Sequence, residues 1–219
     1  MPPFREVVIT AYEIYTHIQK QSDDVDMILK KTFVSALFIT TIAAFLFAGA
    51  LSVRGQDAPF PTYGSGAIQV RIYTDYFCPP CRGMEPAVEP VLKNLLKKKA
   101  IRLTLVDTPF NLSSPLYARY FLYALAKKND AEHALKVRNL LFDVAARKNV
   151  TTKEGIEEIF KSKGIPFAAF DPKAVFDRFN NLIKEDNITA TPSCVIIKGG
   201  KKETFVGGVD IVNALKGLK

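Results

Sequence analysis

An α/β domain carrying an all-helical insertion, preceded by one apolar segment, is predicted by three observations. Strand and helix periodicities alternate between residues 68 and 106, helical spacing runs from about 112 to 186, and a strand pair followed by a helix closes the chain. The 219 residues allow one sizeable domain plus extras, and a hydrophobic share of 48% is ordinary globular composition raised by the apolar block.

The first strand, Ile68-Gln69-Val70-Arg71-Ile72, alternates as a half-buried strand does and runs into Tyr73-Thr74-Asp75-Tyr76-Phe77-Cys78-Pro79-Pro80-Cys81. Helical spacing follows, so both cysteines are set at a helix N-terminus. The free N–H groups and partial positive charge there stabilise a thiolate, the nucleophile of disulfide exchange. Cys78 is thereby the candidate nucleophile, and Cys81, one turn further in, can attack a mixed disulfide on Cys78 and release the partner. Pro79 and Pro80 suit a first turn, whose N–H groups lack intrahelical acceptors, and they withhold two donors from the thiolate. The Cys78 thiol is therefore expected to ionise below the free value of about 8.5 without reaching the extreme of about 3.5.

Two cysteines at this spacing also begin zinc sites. A structural zinc wants four Cys or His ligands, and the chain offers only Cys194, His17 and His133 besides, so the redox reading is favoured and no metal is expected. Three cysteines are also too few for a disulfide-stapled scaffold.

The wording from Thr74 to Cys81 resembles that of DsbA-like thiol–disulfide oxidoreductases of the bacterial cell envelope, within the thioredoxin superfamily. Pro86, five residues after the second cysteine, is similar to a proline that kinks the active-site helix in that family. One departure is Ile72, six residues before Cys78, where the family often carries a buried acid. The resemblance implies a thioredoxin-like fold over residues 67–219, no cofactor, and a cis proline facing the cysteine pair. Thr191-Pro192 occupies that proline's place; with Phe77 they would form the substrate side, and a proline there exposes backbone groups that can pair with an extended chain.

Along the chain, Ile101-Arg102-Leu103-Thr104-Leu105-Val106 reads as a second strand, parallel to the first across the helix. Four helices follow. Ala118, Phe121, Leu122 and Leu125 mark one apolar face, and Ala134, Val137, Leu141 and Val144 the next. Thr151-Thr152-Lys153-Glu154 offers a capping box with Gly164 as the stop, and Asp171-Pro172 starts the helix of Val175, Phe179, Leu182 and Ile183. This insertion strengthens the DsbA-like resemblance, since plain thioredoxins place a single helix there. Tyr117, Tyr120, Phe121 and Tyr123 could line a groove, but aromatics at helical spacing normally pack inward. His133 is expected to be a surface or satisfied residue. Cys194-Val195-Ile196-Ile197 reads as a buried strand with Cys194 as a small hydrophobe, Lys198-Gly199-Gly200-Lys201 as a hairpin turn, and Asp210 as the cap of a last helix.

Ahead of the domain, residues 1–31 form a charged cytoplasmic segment ending in Lys30-Lys31, followed by 32–53 without a charge. Such a span is long enough to cross a bilayer, with its lysine side inside. Two readings stand: an uncleaved signal anchor, or, from a start at Met27, a signal peptide cut at Ala48-Gly49-Ala50. Both export the catalytic domain to the periplasmic side. Residues 54–66, with Gly55, Pro59, Pro61, Gly64 and Gly66, read as a linker.

The formal net charge of +8 is dispersed, and no nucleic-acid module accompanies it, so nucleic acid is not an expected partner. The expected partners are exported cysteine-containing polypeptides and a membrane redox partner, either a quinone-coupled oxidase or a transmembrane electron donor. The rival from another class is a non-catalytic chaperone or scaffold that keeps the fold, against which the intact cysteine pair argues.

Overall fold

The computed structural model describes residues 58–147 and 150–218. The expectations for 1–31 and for the 32–53 span lie outside the described residues. The strands are β1 (Thr62–Tyr63), β2 (Ile68–Thr74), β3 (Ile101–Asp107), β4 (Ser193–Lys198) and β5 (Lys201–Val206). The helices are α1 (Pro79–Lys97), α2 (Ser114–Leu125), α3 (Ala131–Arg147), α4 (Lys153–Ser162), α5 (Lys173–Glu185) and α6 (Gly208–Lys216). No described helix is long and apolar enough to cross a membrane.

The strands form one mixed sheet in the order β1-β3-β2-β4-β5. β2 and β3 are parallel, Ile68 opposite Ile101 through Thr74 opposite Asp107, as the intervening helix requires. Val70, Ile72, Leu103 and Leu105 are buried, so the apolar half of each alternation makes the core. α1 covers it with Cys81, Met84, Val88, Leu92 and Leu95, an i, i+3, i+4 stripe, while Pro86 and Pro90 lie on its exposed side. β4 pairs antiparallel with β2 and β5, and its turn is Gly199 and Gly200, both at positive φ (57° and 80°). Two successive left-handed residues match the twist of a two-residue hairpin, which is why glycine stands at both.

The four helices α2 to α5 lie between β3 and β4. Tyr117, Tyr120 and Phe121 are buried, so packing rather than groove lining is their role; Tyr123 is half-buried against Tyr120 and Phe170. His133 differs from expectation. It is buried, with no hydrogen-bond partner at Nε2 among the described residues, because it sits on the turn of α3 that packs inward.

Helix starts also depart from the sequence signals. Thr152, not Thr151, caps α4, accepting from the Gly155 N–H at 3.2 Å, so the residue three positions on is glycine and no reciprocal Glu154 bond closes a box. Pro172 is the cap of α5, and Asp171 accepts from the Lys173 N–H at 3.0 Å. α6 starts at Gly208 behind Gly207 (φ 93°), which leaves Asp210 inside the first turn, where its charge favours the helix N-terminus without capping it.

The larger difference is at 58–66, the described part of the expected linker. Thr62 and Tyr63 are the edge strand β1, antiparallel to β3, and the Tyr63 hydroxyl donates to Asn129 Oδ1 at 2.8 Å. Gly64 and Gly66 serve close approach instead of flexibility. A Cβ on Gly66 would stand 2.2 Å from the Ala100 carbonyl carbon, and Gly64 (φ 82°) would bring one to 2.5 Å from the Ile101 oxygen.

Candidate active site

β2 ends at Thr74, and the next four residues carry the chain to α1, where Cys78 is the N-cap and Pro79 and Pro80 fill the first turn. Cys78 is half-buried and Cys81 fully buried, and both are free thiols. The Thr191–Pro192 bond is cis, the expected isomer, and the Cys78 thiol donates to the Thr191 carbonyl at 3.3 Å. Four of the expected residues, Cys78, Cys81, Thr191 and Pro192, thus meet at one place. Phe77 is beside them, its half-exposed ring edge-on to Tyr117 at 4.9 Å between centroids.

The electrostatics separate the two sulfurs. The Cys78 thiol is lowered to about 6, first by a hydrogen bond from the Cys81 thiol, then by the Thr191 side chain and the Cys81 N–H, against desolvation and the Asp75 charge. Cys81 moves the opposite way, raised well above the ordinary thiol range first by the hydrogen bond its proton makes to Cys78 and then by desolvation. The half-buried sulfur is thus biased toward the thiolate and the buried one toward the protonated thiol. Alkylation of Cys78 by iodoacetamide should therefore rise with pH through about 6 and level off above it, since the thiol form below that pH is unreactive. A rate still climbing toward about 8.5, the free-thiol value, would contradict the assignment. Cys194, on β4, is buried and pushed up to about 12 by desolvation, the behaviour of a packing residue.

Asp75, to which sequence reasoning assigned no role, braces the turn that presents Cys78. Its buried carboxylate accepts from the N–H groups of Phe77 (2.7 Å), Phe110 (2.7 Å) and Asn111 (3.0 Å) and from the Ser114 hydroxyl (2.7 Å). It ties the turn ahead of Cys78 to the loop that opens α2. Behind this turn Arg138 of α3, fully buried, forks onto Glu85 of α1 at 2.8 and 2.9 Å and donates to the Thr74 hydroxyl at 3.0 Å. Asp107, at the end of β3, is buried with Oδ2 unpartnered among the described residues, and its carboxyl is raised to about 7 by desolvation, partly offset by Arg138. No described group of acids, histidines and cysteines could hold a metal ion.

The family model described as Thioredoxin matches residues 63–206, which spans the cysteine pair and the cis proline. The chain belongs to the thioredoxin family. Within it, the chain is 29% identical over 204 residues to the thiol:disulfide interchange protein DsbA of Bordetella parapertussis, covering 84% of this chain and 93% of that one. The fold is that of a periplasmic thioredoxin-like protein from Salmonella enterica serovar Typhimurium (TM-score 0.55, 22% identity, 74% and 90% of the two chains). It is equally that of α-DsbA1 from Wolbachia pipientis (TM-score 0.56, 17% identity, 73% and 90%). This thioredoxin-family chain is a DsbA-like protein disulfide oxidoreductase.

Proposed function

We propose that the chain exchanges disulfides with exported, cysteine-bearing polypeptides through Cys78 and Cys81, on the periplasmic side of a bacterial-type membrane, and is reset by a membrane redox partner. The observation that carries this reading is the asymmetry of the pair: a half-exposed thiolate above a buried, protonated resolving thiol. The Cys78 thiolate attacks one sulfur of a substrate disulfide and the other sulfur leaves as a thiolate; Cys81, losing its proton to that departing sulfur or to water, then displaces the substrate from Cys78, closing the Cys78–Cys81 bond. Two electrons pass to the substrate; the reverse sequence oxidises it.

Thr191 and Pro192 border the attacking sulfur and would hold the substrate backbone. The surroundings support a polypeptide ligand. The exposed apolar side chains Leu112, Val206 and Val209 come from two segments tied to the site, the loop bonded to Asp75 and the turn whose Gly207 N–H donates to the Pro192 carbonyl at 3.0 Å. The full chain should accelerate insulin reduction by dithiothreitol, and Cys78→Ala should remove the acceleration. A wild-type rate equal to dithiothreitol alone would instead favour a binding module. Export is tested by labelling with a membrane-impermeant thiol reagent in intact spheroplasts, where reaction only after lysis would contradict it.

A further inference from the structure

A pocket of about 370 Å³ lies between the β1–β3 edge of the sheet and α5. It is remote from the cysteines: its strand residues sit toward the starts of β2 and β3, whereas Cys78 follows the far end of β2. Strand register puts Arg71 opposite Thr104 and Thr104 opposite Thr62, and Arg102 is two residues back on the same face. Arg178 reaches in from α5, its guanidinium 3.6 Å from the centre of the Phe60 ring. Three guanidinium groups therefore share a cavity whose lining contains no carboxylate.

Their charges are unequally compensated. Arg71 is engaged by Glu185 at 2.9 Å and Asp186 at 3.0 Å, but neither Arg102 nor Arg178 has an ion-pair partner among the described residues. The Thr62 and Thr104 hydroxyls bond to each other at 3.0 Å, which uses one of their two protons and leaves the other for an external acceptor. An open pocket with two guanidinium forks free of protein carboxylates and a spare hydroxyl proton is suited to an anion. We propose that it binds a phosphate ester, independently of thiol exchange. The guanidinium fork matches phosphate oxygens two at a time, and a tetrahedral oxyanion accepts from several directions where a carboxylate accepts in one plane. The volume exceeds that of a bare phosphate and leaves room for an esterified group.

The ester could be soluble or a lipid headgroup, and one titration separates the two. The full chain in non-ionic micelles would be titrated with glycerol 3-phosphate, with short-chain phosphatidylglycerol, and with acetate at matched ionic strength, following the arginine side-chain Nε–H resonances by NMR. Saturable shifts with a phosphate ester and none with acetate are expected. Arg102→Lys and Arg178→Lys, which keep the charge and lose the fork, should each weaken binding about tenfold, the loss expected for a charge-assisted hydrogen bond. Arg102→Ala combined with Arg178→Ala should abolish it. Both side chains are exposed and away from the cysteines, so these variants should fold and keep insulin reduction unchanged. Tighter binding of glycerol 3-phosphate would identify a soluble ester, and tighter binding of the lipid a headgroup. Absence of saturation, equal shifts with acetate, or unaltered binding by the double variant would overturn the proposal.

Discussion

Replacing Cys81 with serine should yield a protein that accumulates mixed disulfides through Cys78 and turns over almost none of them. Cys81 is one helical turn from Cys78 on the same helix start, so its attack on a mixed disulfide is intramolecular. Well-oriented intramolecular steps reach effective molarities of about 10⁵ M or more, about 10⁸ times what millimolar external thiol supplies, so turnover should fall to the uncatalysed background. The reciprocal variant should behave differently. In Cys78→Ser the two remaining thiols, Cys81 and Cys194, are buried and raised in pKa, so they should trap nothing. Non-reducing gels with mass mapping of the trapped peptides check both, and equal trapping by the two variants would overturn the assignment of the nucleophile.

The second large effect is on stability. Arg138→Leu should cost about 3–5 kcal/mol, because it leaves the Glu85 carboxylate buried without its charge partner. Glu85→Leu should cost a similar amount for the mirror reason. The double variant should recover most of the loss, since a buried ion pair replaced by apolar groups of similar size is often near neutral. Urea unfolding of all four proteins gives the coupling energy directly. Single costs below about 1 kcal/mol would mean that water reaches the pair and that it does not lock α3 to α1.

The ion pair also shows what was legible in the sequence and what was not. The β2, α1 and β3 elements were read directly, since alternation at 68–72 and 101–106 and proline at the first helical position each have one physical cause that the fold preserves. Cys78 and Cys81 were read from the same local spacing and helix placement, whereas Thr191 and Pro192 came from the family resemblance; the β2–β4 pairing brings Thr191 to Cys78. Glu85 and Arg138 were missed because each is a charge on an otherwise apolar helix face, at 81, 84, 85, 88 and at 134, 137, 138, 141. A lone charge in such a stripe signals a buried partner, but nothing local says which one. Asp75 stood inside the quoted motif, yet its acceptors' donors come from a loop 35 residues later. β1 was hidden by Gly64 and Gly66, whose role is the close backbone contact with residues 100 and 101 and not the freedom usually read from glycine.

The caps were displaced for a different reason. Thr152 and Gly207 are selected by how the preceding loop enters the helix, and neighbouring Thr151 and Asp210 carry the same local signal without that entry geometry. Boundary positions depend on tertiary context more than on propensity.

The central claim is that Cys78 and Cys81 are one reversible redox couple, and equilibration of the full chain in glutathione buffers tests it most directly. Acid quenching and mass mapping should show a single two-electron transition confined to this pair, with Cys194 reduced throughout. A Cys78 thiol at about 6 lies between the strongly oxidising and thioredoxin limits, so the potential should fall between about −120 and −270 mV. A transition involving Cys194, or a Cys78–Cys81 bond that stays closed to below about −300 mV as a structural disulfide would, contradicts the account.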